Sequence, residues 1–324
     1  MVDKAREWTD KRLLEMEGHL RQVYTQSRNE LTAKWDEYME RSNKRLADLY
    51  ANYRSAPMGQ KKDALKKYQD AAQNVTLKNR WYKEMVEETT YRIAHVNEIA
   101  VAYINDQMPS IYTHNYNQID DDALKLGIKW TIRNEHTVKR LMADTLPNKR
   151  INYPKDMAWN TRKINSAVLQ GILQGESITK ISKRLLPILD NNESAAVRNA
   201  RTMVTSAENH GRLDRYHDYE DEGIVMTKMW LATPDGRTRD WHLDMDGQEV
   251  PVEDPFIDGL GNELEYPGDE MAPGETVYNC RCSMRSHITG VRGADGRIIP
   301  VKDFDSMATG FHQAQISAER FSRW

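Results

Sequence analysis

Several features that mark other protein classes are scarce or missing in this sequence. Its 324 residues include only two cysteines, which argues against a secreted domain held together by disulfide bonds. No stretch approaches the roughly 18 consecutive apolar residues of a membrane-spanning helix, and the first residues lack the apolar core of a secretion signal. With 29% charged residues and a mean hydropathy of −0.80, the sequence predicts a soluble protein that works in a reducing cytoplasm and uses no membrane.

The common catalytic and nucleotide-binding motifs are missing as well. The sequence has no G-x-S-x-G nucleophile elbow, no P-loop, no G-x-G-x-x-G fingerprint and no H-E-x-x-H. A Ser-x-x-Lys match at Ser177 lacks the other residues of that constellation. We therefore predict no catalytic residue.

Charge is divided unevenly along the chain. Residues 1–210 hold 34 Lys and Arg against 27 Asp and Glu, whereas residues 211–324 hold 12 against 22. Residues 41–80 carry ten basic and three acidic side chains, and residues 241–280 carry eleven acids and no Lys or Arg. Solvated helix and loop faces would explain both stretches. The alternatives are a DNA-contacting stripe in the first stretch and a surface for a basic partner or a cation in the second.

Residues 4–54 predict one long amphipathic helix with a seam for a partner helix. They contain no proline, and their apolar side chains recur mostly at steps of three or four. Pro57 and Gly59 end this helix, and a second helical pattern runs from about residue 61 to Gln107, where Pro109 ends it. The residues after Pro109 read as a loop, followed by a helix from about 120 to 143.

Further helices are predicted at about 156–173, 177–188 and 193–220. After Gly223 the sequence becomes β-branched and turn-rich, and predicts strands in IVMTKMWLAT and around 248–252, 276–279 and 282–288, then a turn at 293–296 and a short helix. The predicted fold class is α+β: an extended, mostly helical N-terminal two-thirds with a long helical arm, then a small loop-rich α+β module. We assign a helical arm or hairpin to 1–115, a helical region to 116–222 and the module to 223–324.

The stretch DGRTRDWHLDMDG, residues 235–247, concentrates charged residues after the first strand. Asp235 can cap the turn by accepting hydrogen bonds from the amides that follow. Arg237 and Arg239 alternate along what reads as an extended segment, and we expect their planar guanidinium groups to hold carboxylates of the acidic loop.

His242 and the pair Cys280 and Cys282 are candidate metal ligands. Cysteines one residue apart do not readily form a disulfide with each other, and two thiolates with one imidazole supply three of the four ligands of a structural zinc. His287, Asp246 or water would be the fourth. The competing interpretation is two buried free cysteines beside a hydrogen-bonded histidine, so zinc is the cofactor candidate and both interpretations stay open.

These residues together resemble the phage minor head protein family, also called the head-morphogenesis or Mu F-like family. That family has an Arg-Thr helix, a W-x-A-T-x-D-x-R-T-R-x-x-H block and a closing C-R-C. The resemblance covers about residues 200–285, and the block and the closing motif place structural roles on Trp230, Asp235, Arg237, Thr238, Arg239, His242, Asp246, Gly247 and Arg281. Some members carry a cysteine where this chain has Arg239, and a histidine near the position of Val277.

The resemblance implies a minor capsid protein of a tailed bacteriophage rather than an enzyme. It implies a place inside the virion near the portal vertex, reached by assembly in the host cytoplasm, with roles in head assembly or DNA delivery. The implied partners are the portal protein, the scaffolding or major capsid protein and packaged double-stranded DNA. The alternative function is a toxin-like metal-dependent nuclease or hydrolase in the C-terminal module.

Overall fold

The computed structural model describes residues 3–77, 80–118, 153–174, 176, 178–233, 235–293 and 295–300. Within these residues the first two-thirds of the chain is helical. The helices are α1 (Lys4–Ser55), a 3-10 turn (Met58–Gln60), α2 (Lys61–Leu77), α3 (Arg80–Asn117), α4 (Tyr153–Leu173) and α5 (Ile178–Asp221).

The C-terminal part is built from short strands and turns. Its elements are β1 (Ile224–Leu231), α6 (Asp240–Leu243), β2 (Glu249–Pro251), β3 (Phe256–Ile257), β4 (Glu263–Leu264), α7 (Gly274–Val277), β5 (Ser283–Arg292) and β6 (Ile298–Pro300). The structure is about 68% helical, with a small sheet-containing C-terminal part, so the predicted α+β class is confirmed. Among the described residues, no helix is both long and apolar enough to cross a bilayer.

The long first helix is confirmed, and its end forms a hairpin with α2. The rings of Tyr50 in α1 and Tyr68 in α2 lie 5.4 Å apart, and the Lys61 ammonium lies over the ring of Tyr53. The predicted break at Pro57 is also present, since residues 56–57 and the 3-10 turn Met58–Gln60 separate α1 from α2.

One proline does not end a helix where the sequence predicted that it would, and a second proline lies inside a helix that is longer than predicted. Helix α3 continues through Pro109 to Asn117, so the predicted loop there is wrong. Helix α5 continues through Pro187 and joins the two helices predicted at 177–188 and 193–220. A proline inside a helix removes one backbone hydrogen bond. Buried apolar side chains flank both prolines, and their packing offsets that loss: Met108, Ile111 and Tyr112 in α3, and Leu185, Ile188 and Leu189 in α5.

The chain divides into two compact units, each assembled from separate stretches of sequence. The first takes its described residues from the ranges Met1–Leu14, Asn105–Pro147 and Arg198–Trp324, and the second from Glu15–Ile104 and Asn148–Val197. In the second unit, Asn192 of α5 bonds to Asn97 of α3 and to Asn160 of α4. This amide network ties three helices together.

The sheet of the first unit is antiparallel with strand order β2-β1-β5-β6. Alternate residues of β1 face the core, and Trp230 lies opposite Met284 of β5. Lys228 also occupies a core-facing position, and its ammonium donates to the carbonyl of Glu265 at 2.9 Å. Burial lowers the pKa of this lysine, and the Glu265 carboxylate opposes that effect.

The other strand predictions had mixed outcomes. Strands near 248–252 and 282–288 are present, although β5 extends to Arg292. The strand predicted at 276–279 is wrong, because residues 274–277 form the helical turn α7. The turn at 293–296 is present and leads into β6. The helices predicted at 120–143 and near the C-terminus lie outside the described residues.

Candidate metal centre

The residues after β1 form a turn that folds back on the strand. The backbone N–H of Gly247 donates to the carbonyl of Trp230 at 2.9 Å, and Gly247 adopts a φ of +76°, in the region that favours glycine. A carboxylate oxygen of Asp246 accepts from the backbone N–H of Ala232 at 2.9 Å. Trp230 is fully buried beneath this turn, and its ring meets the rings of His242 and Phe256 edge to face.

Asp235 and Arg281 form the principal ion pair of this turn. Arg281 donates two hydrogen bonds to the carboxylate, one of them at 2.6 Å, and the backbone N–H of Arg237 donates to the same carboxylate at 2.9 Å. The hydrogen bonds from Arg281, followed by the one from the Arg237 amide, hold the pKa of Asp235 well below its usual range. The Thr238 hydroxyl donates to the carbonyl of Thr233.

The two arginines of the 235–247 stretch have different partners from those predicted. Residues 235–239 form turns rather than an extended segment. Arg237 is exposed and lies 3.5 Å from Asp235, while Arg239 donates to the backbone carbonyl of Tyr278. The arginine that binds a carboxylate through two hydrogen bonds is instead Arg281, which is 46 residues from Asp235 in the sequence. The prediction was wrong because it considered only the arginines closest in sequence to the acidic loop.

Replacement of Asp235 by asparagine is expected to lower the melting temperature by a few degrees, because it weakens a bidentate pair that is partly exposed. The pKa of Asp235 is lowered by folding, so its contribution is present at neutral pH and is lost as the pH falls below the unfolded value of about 4. Because the folded pKa is much lower than that value, the loss is only partial at pH 3, and thermal melts from pH 7 to pH 3 are expected to show a difference between variant and wild type that begins to narrow below about pH 4. Asp254→Asn, at an exposed acid in the β2–β3 turn, is the matched control; equal shifts in both variants would contradict this role.

Helix α5 holds the C-R-C segment through a row of polar side chains. The Thr202 hydroxyl accepts from the N–H of Asn279 at 2.8 Å, and the Thr205 hydroxyl donates to the carbonyl of Cys280 at 2.8 Å. Further along, Asn209 accepts from the N–H of Met284, and Arg212 donates to the Met284 carbonyl. These four helix residues recur at steps of three and four, which places them on one face. Sequence analysis missed this role, although the spacing was visible.

The beginning of α1 reaches the same segment. Arg6 donates to the carbonyl of Arg281 at 2.5 Å and lies 3.3 Å from the buried carboxylate of Glu208. Asp3 pairs with Arg212 at 2.8 Å. Burial raises the pKa of Glu208, and the two arginines beside it lower it. We call Asp3, Arg6, Glu208 and Arg212 the N-terminal clasp.

His242, Cys280 and Cys282 converge in the core of this unit. Their relative exposures are 1%, 2% and 2%. Nδ1 of His242 lies 3.6 Å from Sγ of Cys280 and 3.5 Å from Sγ of Cys282, and the three ligand atoms lie within 4.8 Å of one another. The two thiols are free.

The two cysteines influence each other's ionisation in this arrangement. A hydrogen bond from Cys280 lowers the pKa of Cys282, and His242 acts in the same direction. The same hydrogen bond, together with burial, raises the pKa of Cys280. A thiolate is therefore available at neutral pH, which is the form of cysteine that binds metals.

The distances in this cluster suit tetrahedral zinc. With Zn–S of about 2.3 Å and Zn–N of about 2.0–2.1 Å, adjacent sulfur and nitrogen ligands of a tetrahedral ion are about 3.5–3.6 Å apart, as they are here. The residues considered as a fourth ligand are engaged elsewhere, because Asp246 bonds to Ala232 and His287 pairs with Glu249. Nε2 of His242 is buried without a hydrogen-bond partner among the described residues, whereas metal-binding histidines usually have one there.

Comparison with known proteins shows which family this part of the chain resembles. Residues 162–285 match the family described as Phage Mu protein F like protein. That range contains the polar face of α5, the turn after β1 and the C-R-C segment. Through this region the chain resembles the phage head-morphogenesis family, so the resemblance predicted from its motifs is confirmed. Head morphogenesis, a place in the virion and contact with other capsid components are the properties that this family supports.

Two characterised proteins are similar to this chain in sequence. Minor head protein GP7 of Bacillus phage SPP1 is 23% identical over 276 residues, which cover 82% of this chain and 88% of that protein. NAD(+)–arginine ADP-ribosyltransferase EFV of Enterococcus faecalis is 24% identical over 176 residues, 53% of this chain but only 35% of that protein. The matched part is thus about a third of the enzyme and most of the head protein. No solved structure matches the chain.

Proposed function

We propose that this protein is a minor capsid protein of a tailed bacteriophage that associates with the portal vertex and acts in head assembly and DNA delivery. The observation that carries this proposal is the similarity to a minor head protein along 82% of the chain, which extends well beyond the motif region at residues 162–285. The protein would assemble in the host cytoplasm and remain inside the capsid near the portal.

Co-expression with the portal protein of the same phage tests the partner directly. We expect the two proteins to co-purify as a complex with a fixed mass, measured by native mass spectrometry. Parallel co-expression with the scaffolding protein and with the major capsid protein provides the comparison. Stable association with the major capsid protein and none with the portal would overturn the portal assignment.

We also propose that the hairpin of α1 and α2 contacts packaged DNA. Among the basic residues of 41–80 whose side chains the structure describes, seven are exposed: Arg41, Lys44, Arg45, Arg54, Lys62, Lys66 and Lys67. Lysine and arginine side chains on one hairpin would neutralise phosphates without reading base sequence. The acid-rich residues 241–280 would be repelled by DNA and are better suited to a protein partner.

The double variant Lys66→Gln/Lys67→Gln is expected to bind DNA more weakly than the wild type, with a salt dependence lowered by about one to two in log–log slope. Fluorescence anisotropy on a random duplex, measured at several salt concentrations, gives this slope. Lys4→Gln/Lys11→Gln removes two exposed lysines outside the basic stretch and is the matched control. If both double variants show the same slope of log affinity against log salt concentration, the hairpin does not contact DNA.

We propose zinc as the ion held by His242, Cys280 and Cys282. The fit rests on three buried ligand atoms at tetrahedral spacing and on a thiol with a lowered pKa. Zinc would cross-link α6 to the C-R-C segment and so stabilise the module. Water or a group from another molecule would complete the coordination.

The competing function is a metal-dependent nuclease or hydrolase in the C-terminal module. The similarity to an ADP-ribosyltransferase is the observation that favours an enzymatic role, and it covers only 35% of that protein. Incubation with double- and single-stranded DNA and RNA, with and without a chelator, separates the two functions. Cleavage that the chelator abolishes and that His242→Ala lacks would favour the enzyme; intact nucleic acid in every condition supports the structural role.

A further inference from the structure

A second group of potential metal ligands lies at the end of α5, apart from the cysteine centre. His217 and Glu220 are three residues apart in the last two turns of the helix, so they share one face. Glu253, from the turn between β2 and β3, meets them there. Nδ1 of His217 lies 3.3 Å from a carboxylate oxygen of Glu253, and one ligand atom from each of the three residues lies within 4.8 Å of the other two.

The charges around this group are unfavourable without a cation. The last turn of α5 contains no basic residue; the helix ends with Asp218, Glu220 and Asp221, and Glu222 follows it. Carboxylates at a helix C-terminus oppose the helix dipole, which favours positive charge at that end. The guanidinium of Arg292 supplies a partial counter-charge to Glu220.

We propose that His217, Glu220 and Glu253 bind a first-row divalent cation of the Mn²⁺ type. One imidazole and two carboxylates suit such ions, whereas thiolates favour softer ones. Ligands of an octahedral ion at about 2.1 Å lie about 3 Å apart, close to the distance between His217 and Glu253. The cation would join the end of α5 to the turn between β2 and β3 and would neutralise the carboxylates there. This proposal does not depend on the proposed function.

Titration of the full-length protein with Mn²⁺ alone, followed by electron paramagnetic resonance, tests the site. We expect bound Mn²⁺ to lose the signal of the free ion and to raise the melting temperature of the wild type. Loss of even an outer partner of a metal ligand typically weakens affinity about tenfold. His217→Ala and Glu220→Gln, which remove direct ligands, are therefore each expected to weaken Mn²⁺ binding by at least that factor.

Glu222→Gln is the matched control, because it removes an exposed carboxylate from the same helix end without touching the ligand set. Circular dichroism shows whether each variant is folded. If His217→Ala does not fold, Glu220→Gln still tests the site. A simple His217–Glu253 ion pair predicts no Mn²⁺ response. The proposal is overturned if the wild type leaves Mn²⁺ free, or if the ligand variants bind it as tightly as Glu222→Gln does.

Discussion

Replacement of Cys282 by serine is expected to abolish zinc binding and to lower the free energy of unfolding of the first unit by about 4 kcal/mol, the stabilisation given by a ligand present at about a thousand times its dissociation constant. The reason is that Cys282, Cys280 and His242 are buried together at the spacing of tetrahedral zinc ligands. Elemental analysis of the purified protein and chemical denaturation with and without a chelator measure both effects.

The alternative to zinc predicts a different size of effect. If the cysteines are only buried thiols, serine at position 282 disturbs one hydrogen bond and costs about 1 kcal/mol, and the chelator changes nothing in the wild type. His287→Ala is the matched control, since this exposed histidine pairs with Glu249 and an exposed pair contributes at most about 1 kcal/mol. Metal-free wild-type protein that is as stable as the metal-treated protein would exclude the zinc centre.

Replacement of Arg6 by alanine is expected to destabilise the C-terminal module by about 3 kcal/mol, because removal of one partner from a buried ion pair leaves a charge poorly compensated. Arg6 is near the N-terminus, yet it contacts the buried Glu208 and the carbonyl of Arg281. The Glu208 carboxylate would retain only Arg212 from the N-terminal clasp. Denaturant unfolding followed by Trp fluorescence, with the buried Trp230 as one reporter, measures the loss.

A double-mutant cycle distinguishes the contribution of the Arg6–Glu208 ion pair from a nonspecific effect of mutation at the beginning of α1. Glu208→Gln removes the charge that Arg6 compensates, so Arg6→Ala is expected to cost less in that background than in the wild type. Lys4→Ala, at an exposed neighbour in the first turn of α1, is the control and should change stability little. Additive effects of Arg6→Ala and Glu208→Gln would rule out the ion pair as the source of the loss.

The clasp also bears on how DNA binding can be tested. Deletion of the N-terminal arm would remove Asp3 and Arg6 together with the basic hairpin, and would damage the motif region at the same time. Loss of DNA binding in such a truncation would not identify the hairpin. Substitutions at Lys66 and Lys67 keep the clasp intact and therefore isolate the charge effect.

The sequence by itself determined the class of the fold and the helix pattern. Steps of three and four apolar residues predicted α1, and the change to β-branched residues after Gly223 predicted β1, because these periodicities follow from local backbone geometry. The sequence also identified His242, Cys280 and Cys282 as one candidate group, since the chemistry of zinc ligands restricts the choice to few residue types.

Tertiary structure alone decided the contacts between residues distant in the chain. Pro109 signals a helix end locally, but packing of its apolar neighbours outweighs one lost hydrogen bond. Arg281 donates two hydrogen bonds to Asp235, whereas Arg237 and Arg239 contact Asp235 and the Tyr278 carbonyl instead of the predicted carboxylates of the acidic loop. The approach of Arg6 to Glu208 and of Glu253 to His217 leaves no local signal, because pairing energies depend on distances in space that a one-dimensional pattern does not contain.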